Sequence, residues 1–205
     1  ENLKKLKDLI NTHGIDCEII NHDKSEHKEK IAAENNQETF GNLSSLLKCF
    51  EVAKKDQSDL IYFVEDDYLH YEHSLVDMLN TYERVSSQHK DEIIVCPSDY
   101  PFNYMNNEKT NILIGSQQHW RTITKMLCTF MISKKMFQKH IDNFEKTCEK
   151  RHEPFEKYLN KILESEIGIS PIKSLAIHMT NVNSSYGLSP FIDIKKLWEE
   201  NKINQ

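Results

Sequence analysis

Residues 59–69 read DLIYFVEDDYL, and this stretch decides the fold. Residues 60–64 form an uninterrupted apolar run rich in β-branched and aromatic side chains, which is typical of a strand buried on both faces. Strands of that kind occur in parallel sheets that are covered by helices. The stretch therefore predicts an α/β fold, and Glu65, Asp66 and Asp67 mark the carboxyl end of one of its strands.

Helical and strand patterns alternate on either side of this stretch. Apolar residues at helical spacing predict helices over 3–10, 43–50, 75–79, 136–144, 155–163 and 192–198, and Gly14 suits the end of the first. Apolar runs predict further strands over 17–20, 92–96, 126–132 and 172–177, and residues 98–116 read as a long loop. The alternation predicts one domain over residues 1–205, with a central mixed, mostly parallel sheet flanked by helices.

Composition argues against several function classes. Lys and Arg total 26 against 32 Asp and Glu, so a formal net charge of -6 offers no broad cationic surface to a nucleic acid. The five cysteines form no CxxC pair, which indicates reduced thiols and not a zinc ribbon or a disulfide framework. No stretch approaches the roughly 18 to 20 apolar residues of a membrane span. We expect a cytoplasmic protein with no nucleic-acid partner and no transmembrane segment.

The acidic triplet Glu65, Asp66 and Asp67 has the most specific chemistry in the sequence. Ligands of open α/β sheets bind beyond the carboxyl ends of strands, where this triplet lies. Three consecutive acids repel one another, and a hard cation such as Mg²⁺ or Mn²⁺ offsets the repulsion. Such a cation can bridge a diphosphate and neutralise the charge on a leaving nucleotide. The alternative is a solvated turn that caps the next helix.

Residues 59–69, preceded by the helix start Gly41-Asn42-Leu43, resemble the metal-binding region of GT-A-fold glycosyltransferases, closest to the family-two type. The resemblance is strongest over residues 16–79 and continues in order to about residue 180. It implies a GT-A-like, Rossmann-type catalytic domain. The family's first strand precedes the first helix, and because none is found here we expect it upstream of Glu1.

The resemblance also implies the reaction and its partners. The donor would be a nucleoside-diphosphate sugar, with a UDP-sugar favoured, and the acceptor a hydroxyl of a glycan, a lipid or a protein. Mn²⁺ or Mg²⁺ would be the cofactor, and the transfer would invert the anomeric centre.

The metal ligands follow from the same resemblance. Glu65 and Asp67 match the outer positions of the D-x-D-like signature, with Asp67 as the direct metal ligand. His178, after the apolar run 172–177, matches the histidine that completes the metal shell in many members. A lone histidine after an apolar strand is, without such context, more often a structural residue.

Nucleotide contacts are assigned to three residues. Asp23 matches the family's acid that faces the nucleoside, Asp66 lies within the signature, and Arg121 would hold a phosphate. Arg121 and its neighbours His119 and Trp120 follow a Gly-containing loop, and an aromatic ring beside a cation suits a sugar face and a phosphate. His119 and Trp120 are therefore predicted to bind sugar. The alternative is that Trp120 packs in the core and Arg121 pairs with a surface acid.

The general base is sought at Glu156 or, less favoured, Glu153. Inverting transfer needs one carboxylate that takes the acceptor proton opposite the departing diphosphate. In family-two enzymes the base lies near an acidic pair at a helix start, and Glu153-Pro-Phe-Glu156 is such a pair. As alternatives, both acids interact with the helix dipole, or the loop acids Asp99 and Glu108 reach the acceptor.

Two other function classes remain open on the sequence. A metal-dependent nucleotidyl or phosphoryl transferase uses an acidic strand end equally well. A non-catalytic carbohydrate- or partner-binding module could keep the fold without the chemistry, since fold does not determine function.

Overall fold

The secondary structure comes from a computed structural model, which describes residues 2–31, 34–105, 107–180, 182–188 and 192–202. The helices are α1 Asn2–Thr12, α2 Gln37–Lys55, α3 Ser74–His89, α4 Lys134–Lys139, α5 Ile141–Thr147, α6 Lys157–Ile162 and α7 Ile194–Glu200. The strands are β1 Leu60–Phe63, β2 Tyr68–His70, β3 Ile93–Val95, β4 Ile112–Ile114, β5 His119–Ile123, β6 Phe130–Ser133, β7 Ile167–Pro171 and β8 Ala176–His178. Two short 3-10 helices, Lys24–His27 and Pro101–Tyr104, lie in the connections.

The central sheet has the strand order β1-β6-β3-β7-β5-β4. Only the β3–β7 ladder among those of the described chain is parallel, while β1–β6, β3–β6, β5–β7 and β4–β5 are antiparallel. The α/β class and the mixed sheet are confirmed, but the expectation of mostly parallel pairing is wrong. Antiparallel β6 lies between β1 and β3, and the β4–β5 hairpin extends the other side. Apolar runs indicate that a strand is buried and carry no information on the direction of its neighbour.

Strands β1, β3 and β7 nevertheless run in the same direction, because β6 is antiparallel to both β1 and β3 and β7 is parallel to β3. Their carboxyl ends therefore meet at one edge of the sheet. The segments that leave this edge are in contact, since the Leu175 N–H donates to the Pro97 carbonyl oxygen (2.8 Å). This edge is where the fold brings together residues distant in sequence.

A second, two-stranded sheet lies at the same edge. Its strands β2 and β8 are antiparallel and pair Tyr68 with His178 and His70 with Ala176. The strand expected over 172–177 is confirmed only in its last two residues, because β7 already ends at Pro171, residues 172–175 are not in a strand, and β8 begins at Ala176. The strand expected over 17–20 is wrong, because residues 15–23 have no regular structure and Ile19 and Ile20 are exposed. A short apolar run becomes a strand only where a neighbour supplies backbone partners.

Helices cover both faces of the central sheet, as expected. On one face, α2 and α5 pack aromatic side chains against β1, with the rings of Phe50 and Phe63 edge to face at 5.2 Å and Phe144 beside them. On the other face, Met78 of α3 lies in a cluster with Val95 of β3. Burial of each such side chain contributes roughly 1.5 to 3 kcal/mol.

The ends of α1 and α2 follow local sequence rules. Gly14 lies just beyond α1 with a φ of +68°, the left-handed conformation that glycine adopts without strain. Asn36 caps α2, since its side chain accepts a hydrogen bond from the Thr39 N–H (3.0 Å). Among the described residues, no helix is both long and apolar enough to cross a bilayer.

Candidate functional site

A cleft of about 560 Å³ opens at the carboxyl end of β1. Glu65, Asp66 and Asp67 line one side, the first half of α2 lines another, and Arg151 and Phe155 close it. The alternative reading, that the acids cap the next helix, is wrong, because β2 intervenes and α3 begins only at Ser74. The triplet is therefore part of a cleft wall.

Glu65 is held by Thr129, which directly precedes β6. The Glu65 N–H donates to Thr129 Oγ1 (3.0 Å), and the Thr129 hydroxyl donates to Glu65 Oε2 (3.3 Å). Burial raises the pKa of Glu65 to about 7, and the charges of Asp67, Glu156 and Asp66 add to the rise. A carboxyl with a pKa near neutrality either exchanges protons or is stabilised as the anion by a bound cation.

Asp67 and His178, two predicted metal ligands, are in contact. His178 Nε2 lies 2.9 Å from Asp67 Oδ2, and the imidazole stacks on the Tyr68 ring with centroids 4.8 Å apart. The Tyr68 hydroxyl is in turn 2.7 Å from that of Tyr100, so a buried pair of tyrosines supports the imidazole. The β2–β8 ladder sets this arrangement because it pairs Tyr68 with His178.

The chemistry of these side chains suits a hard divalent cation. Two carboxylates and one imidazole, from Glu65, Asp67 and His178, are ligand types that Mn²⁺ accepts, and carboxylate oxygens suit Mg²⁺. Burial first, and the charge of Asp67 second, raise the pKa of Glu65, and a bound cation would offset both effects. A full cluster of three or more His, Cys, Asp or Glu side chains positioned around one ion is not found among the described residues.

The structure distinguishes the two candidate bases. Glu156 lies directly before α6, makes no side-chain capping bond, and has a pKa raised by burial. Its charge also contributes to the raised pKa values of Glu65 and Tyr186, so it lies near both. Glu153 instead has an 87% exposed side chain, with Oε1 3.7 Å from Arg151 Nε. Of these two candidate bases, Glu156 is the one whose environment suits a carboxyl for proton transfer.

Asp23 is not on the cleft wall. Its carboxylate caps the 3-10 helix Lys24–His27 by accepting from the Ser25 N–H (2.9 Å), and the hydrogen bonds from Ser25 lower its pKa. Capping of the 3-10 helix accounts for an aspartate at this position. The contact of Asp23 with a nucleoside stays a prediction. Asp66, by contrast, is exposed within the cleft.

His119, Trp120 and Arg121 lie on β5, away from the cleft wall. Trp120 is 0% exposed and packs against Gly115, where an added Cβ would come within 2.2 Å of the indole. This position matches the alternative interpretation, in which Trp120 packs in the core, because a buried ring presents no face to a sugar. His119 is exposed at the start of β5.

Arg121 belongs to a buried polar cluster. Its Nε lies 3.7 Å from Asp99 Oδ1 and its guanidinium lies 4.2 Å from the centre of the Tyr104 ring. The Tyr104 hydroxyl donates to Asp99, and burial raises the pKa of Asp99 to about 6. Arg121 thus pairs with an acid, as the alternative reading has it, but that acid is buried.

The sequence interpretation missed Arg151, which lines the cleft, and Thr129, which forms hydrogen bonds with Glu65. The sequence predicts Arg151 as solvated helix surface; its side chain is 65% exposed, but the residue lies outside the helices and its side chain lines the cleft with the acids. Its N–H donates to Glu34 Oε2 (3.1 Å). The one local sign that Arg151 lies outside a helix is its place in the non-periodic stretch before Pro154. Thr129 reaches Glu65 only because β6 pairs with β1, which no local pattern reveals.

Comparison with protein-family models and with curated proteins finds no match for this chain. Function is therefore inferred from the side chains of the cleft and from their chemistry.

Proposed function

We propose that the chain is a metal-dependent glycosyltransferase that moves a sugar from a nucleoside-diphosphate sugar, with a UDP-sugar favoured, to an acceptor hydroxyl with inversion. The acidic triplet lines a cleft with Arg151, Asp67 is 2.9 Å from His178, and Glu156 lies near enough to Glu65 to raise its pKa. The grouping of these side chains at one end of the sheet carries the proposal. The five cysteines are free thiols, which fits the cytoplasmic location that we propose.

Asp67, His178 and Glu65 are the residues that would hold Mn²⁺ or Mg²⁺. When bound, the cation supplies charge neutralisation to the departing diphosphate. Arg151, which also lines the cleft, would neutralise the diphosphate as well, since a guanidinium donates two parallel hydrogen bonds to phosphate oxygens. Asp66, exposed in the same cleft, is assigned to the nucleotide.

Glu156 acts as the general base. The acceptor oxygen attacks the anomeric carbon opposite the diphosphate, the carbon–oxygen bond to the diphosphate breaks, and the hydroxyl proton passes to Glu156. A carboxylate whose pKa is raised by burial is a stronger base than an exposed one, and a positioned base contributes about 10²- to 10⁴-fold. Tyr186 lies beside this carboxylate, on the acceptor side that we assign to it.

Calorimetry of UDP with Mn²⁺ and with chelator tests the proposal directly. We expect binding with Mn²⁺, little binding in chelator, and an affinity roughly a hundredfold lower for Asp67→Asn, because a ligand charge is removed. Asp8→Asn, in exposed α1, is the matched control and keeps the affinity of the parent protein. Equal affinity for UDP with and without the cation contradicts the proposal.

Product analysis separates transfer of a sugar from transfer of a phosphoryl or nucleotidyl group. A glycosyltransferase releases an intact nucleoside diphosphate, whereas the alternative enzyme releases phosphate or pyrophosphate. A binding module binds without turnover.

A further inference from the structure

A second cleft, of about 880 Å³, lies beyond the far end of the β2–β8 sheet. It is bounded by the segments after β2 and before β8, by the loop before β5 and by α7. Its volume is within the range of roughly 300 to 1,000 Å³ that small-molecule sites occupy. Nothing in the proposed transfer chemistry uses it.

The wall of this cleft is fixed by a buried carboxylate. Asp77 of α3 is 1% exposed and accepts from the Thr81 hydroxyl (3.2 Å), the Gln117 N–H (3.2 Å) and the Gln118 side-chain amide (3.1 Å). Gln118 Oε1 in turn accepts from the Lys173 N–H (3.1 Å). Two sides of the cleft are therefore joined by hydrogen bonds, and the cleft is formed before a ligand arrives.

The charges around the cleft nearly balance. Lys173 and Lys196 face the carboxylates of Glu72, Asp77 and Glu200. Neither a polyanion nor a polycation is favoured by such a lining. Gln117, Gln118 and Asn201 add amides, each of which both donates and accepts hydrogen bonds.

Aromatic surface lies beside these polar groups. The rings of Tyr71 and His73, both in the lining, are 5.9 Å apart between centroids. Rings with a polar tip offer an apolar face and a hydrogen-bonding group together. Hydroxyl groups on a ligand would match the amides, a ligand without net charge would match the nearly balanced lining, and C–H faces would match the rings.

We propose that this cleft binds the sugar units of a neutral carbohydrate chain. The inference deepens the proposed function, on which it rests for taking that chain as the acceptor. Tyr68 and His70 mark the two ends of β2, about 7 Å apart along the strand. The end at Tyr68 contacts His178, and His70 at the other end lines the second cleft, so this cleft lies one short strand away from a predicted metal ligand.

Saturation-transfer NMR with neutral tetrasaccharides tests this inference. The panel consists of gluco-, galacto- and N-acetylglucosamine-based tetraoses, each presented without nucleotide. Glu72→Ala and Gln117→Ala each remove an exposed lining side chain, so the fold is retained. We expect at least one tetraose to bind, and each variant to weaken it roughly tenfold, as loss of one or two hydrogen bonds does. Glu149→Ala, exposed and outside both clefts, is the control.

Asp67→Asn in chelator distinguishes this inference from the proposed function. Tetraose binding that persists in this variant, while UDP binding is lost, supports both. If the parent protein binds a tetraose but not UDP, the inference of a carbohydrate-binding cleft stands and the proposed transferase function is contradicted. Absence of saturation transfer from the whole panel, or binding that depends on Asp67 and not on Glu72 or Gln117, overturns the inference.

Discussion

At the residue scale, two partly buried carboxyls define the candidate chemistry. Glu65 and Glu156 are 91 positions apart in the numbering, yet the charge of Glu156 contributes to the pKa of Glu65 of about 7. Pairs of acids in one site commonly divide their roles, with one balanced by a cation and the other left to move a proton. Glu65, the first member of the acidic triplet, forms hydrogen bonds with Thr129. Glu156 lies at the start of α6, near Tyr186.

Replacing Glu156 tests the division of roles. Glu156→Gln is expected to keep UDP and Mn²⁺ binding and to lose roughly two to four orders of magnitude in transfer, because the amide cannot take the acceptor proton. Single-turnover transfer and calorimetry on the same preparation measure the two effects. Glu153→Gln is the matched control, since this neighbouring glutamate is 87% exposed. Near-normal transfer by Glu156→Gln would remove this residue from the mechanism and direct attention to Asp99.

At the element scale, the β2–β8 sheet connects the end of β1 to the end of β7. Its antiparallel pairing sets Tyr68 opposite His178 and brings Asp67 to the imidazole. The Met179 N–H also donates to the Asp67 carbonyl oxygen (2.8 Å), so backbone bonds hold the pair independently of the side chains. Three-residue strands are short, and their position here depends on both neighbouring connections.

His178→Ala should therefore lower the affinity for Mn²⁺ without unfolding the chain. The backbone ladder stays, while one candidate ligand and the stacking on Tyr68 are lost. We expect affinity to fall about 10- to 100-fold, as is usual when a ligand or its supporting partner is removed. Mn²⁺ titration followed by electron paramagnetic resonance measures the affinity, and circular dichroism checks the fold. His13→Ala, in the exposed turn after α1, is the control. If His178→Ala binds Mn²⁺ normally, the histidine is structural.

At the scale of the whole molecule, the fold places two partly or fully buried carboxyls at one edge of the sheet. The carboxyl ends of β1 and β3 carry Glu65 and Asp99, and burial raises the pKa of both. Folding stability is then linked to pH and to any cation that binds at this edge.

Stability in chelator is expected to fall as pH rises from about 5 to 7.5. The pKa of Glu65 is about 7 in the folded chain, against an ordinary value of 4.5, so the folded state holds more protons than the unfolded state in this window. Ionisation of Glu65 accordingly costs up to about 3 kcal/mol. Thermal unfolding across this pH range should show a steeper loss for the parent protein than for Glu65→Gln. Mn²⁺ should restore stability at neutral pH in the parent protein.

Identical pH slopes for the parent protein and Glu65→Gln would contradict the buried-carboxyl interpretation. Glu149→Gln, an exposed glutamate, should follow the parent protein at every pH. The comparison isolates Glu65 because Asp99 and Glu156 are present in all three proteins.

Local patterns determined much of the architecture. The apolar run at 60–64 predicts β1, the periodicities around Leu43 and Met78 predict α2 and α3, and the acids after Val64 predict a polar site at the strand end. These features follow from the sequence by itself, because burial and helical spacing are properties of consecutive residues.

Only the tertiary structure decided which residues share the cleft and how the strands pair. Antiparallel β6 between β1 and β3 brings Thr129 to Glu65, and the connection before α6 carries Arg151 into the cleft while leaving Glu153 in solvent. Strand direction depends on how the chain returns through space, and a carboxyl's pKa depends on burial by residues far away in sequence. Neither strand direction nor a carboxyl's pKa is encoded in a local pattern, so Glu156 is distinguished from Glu153 only in the folded chain.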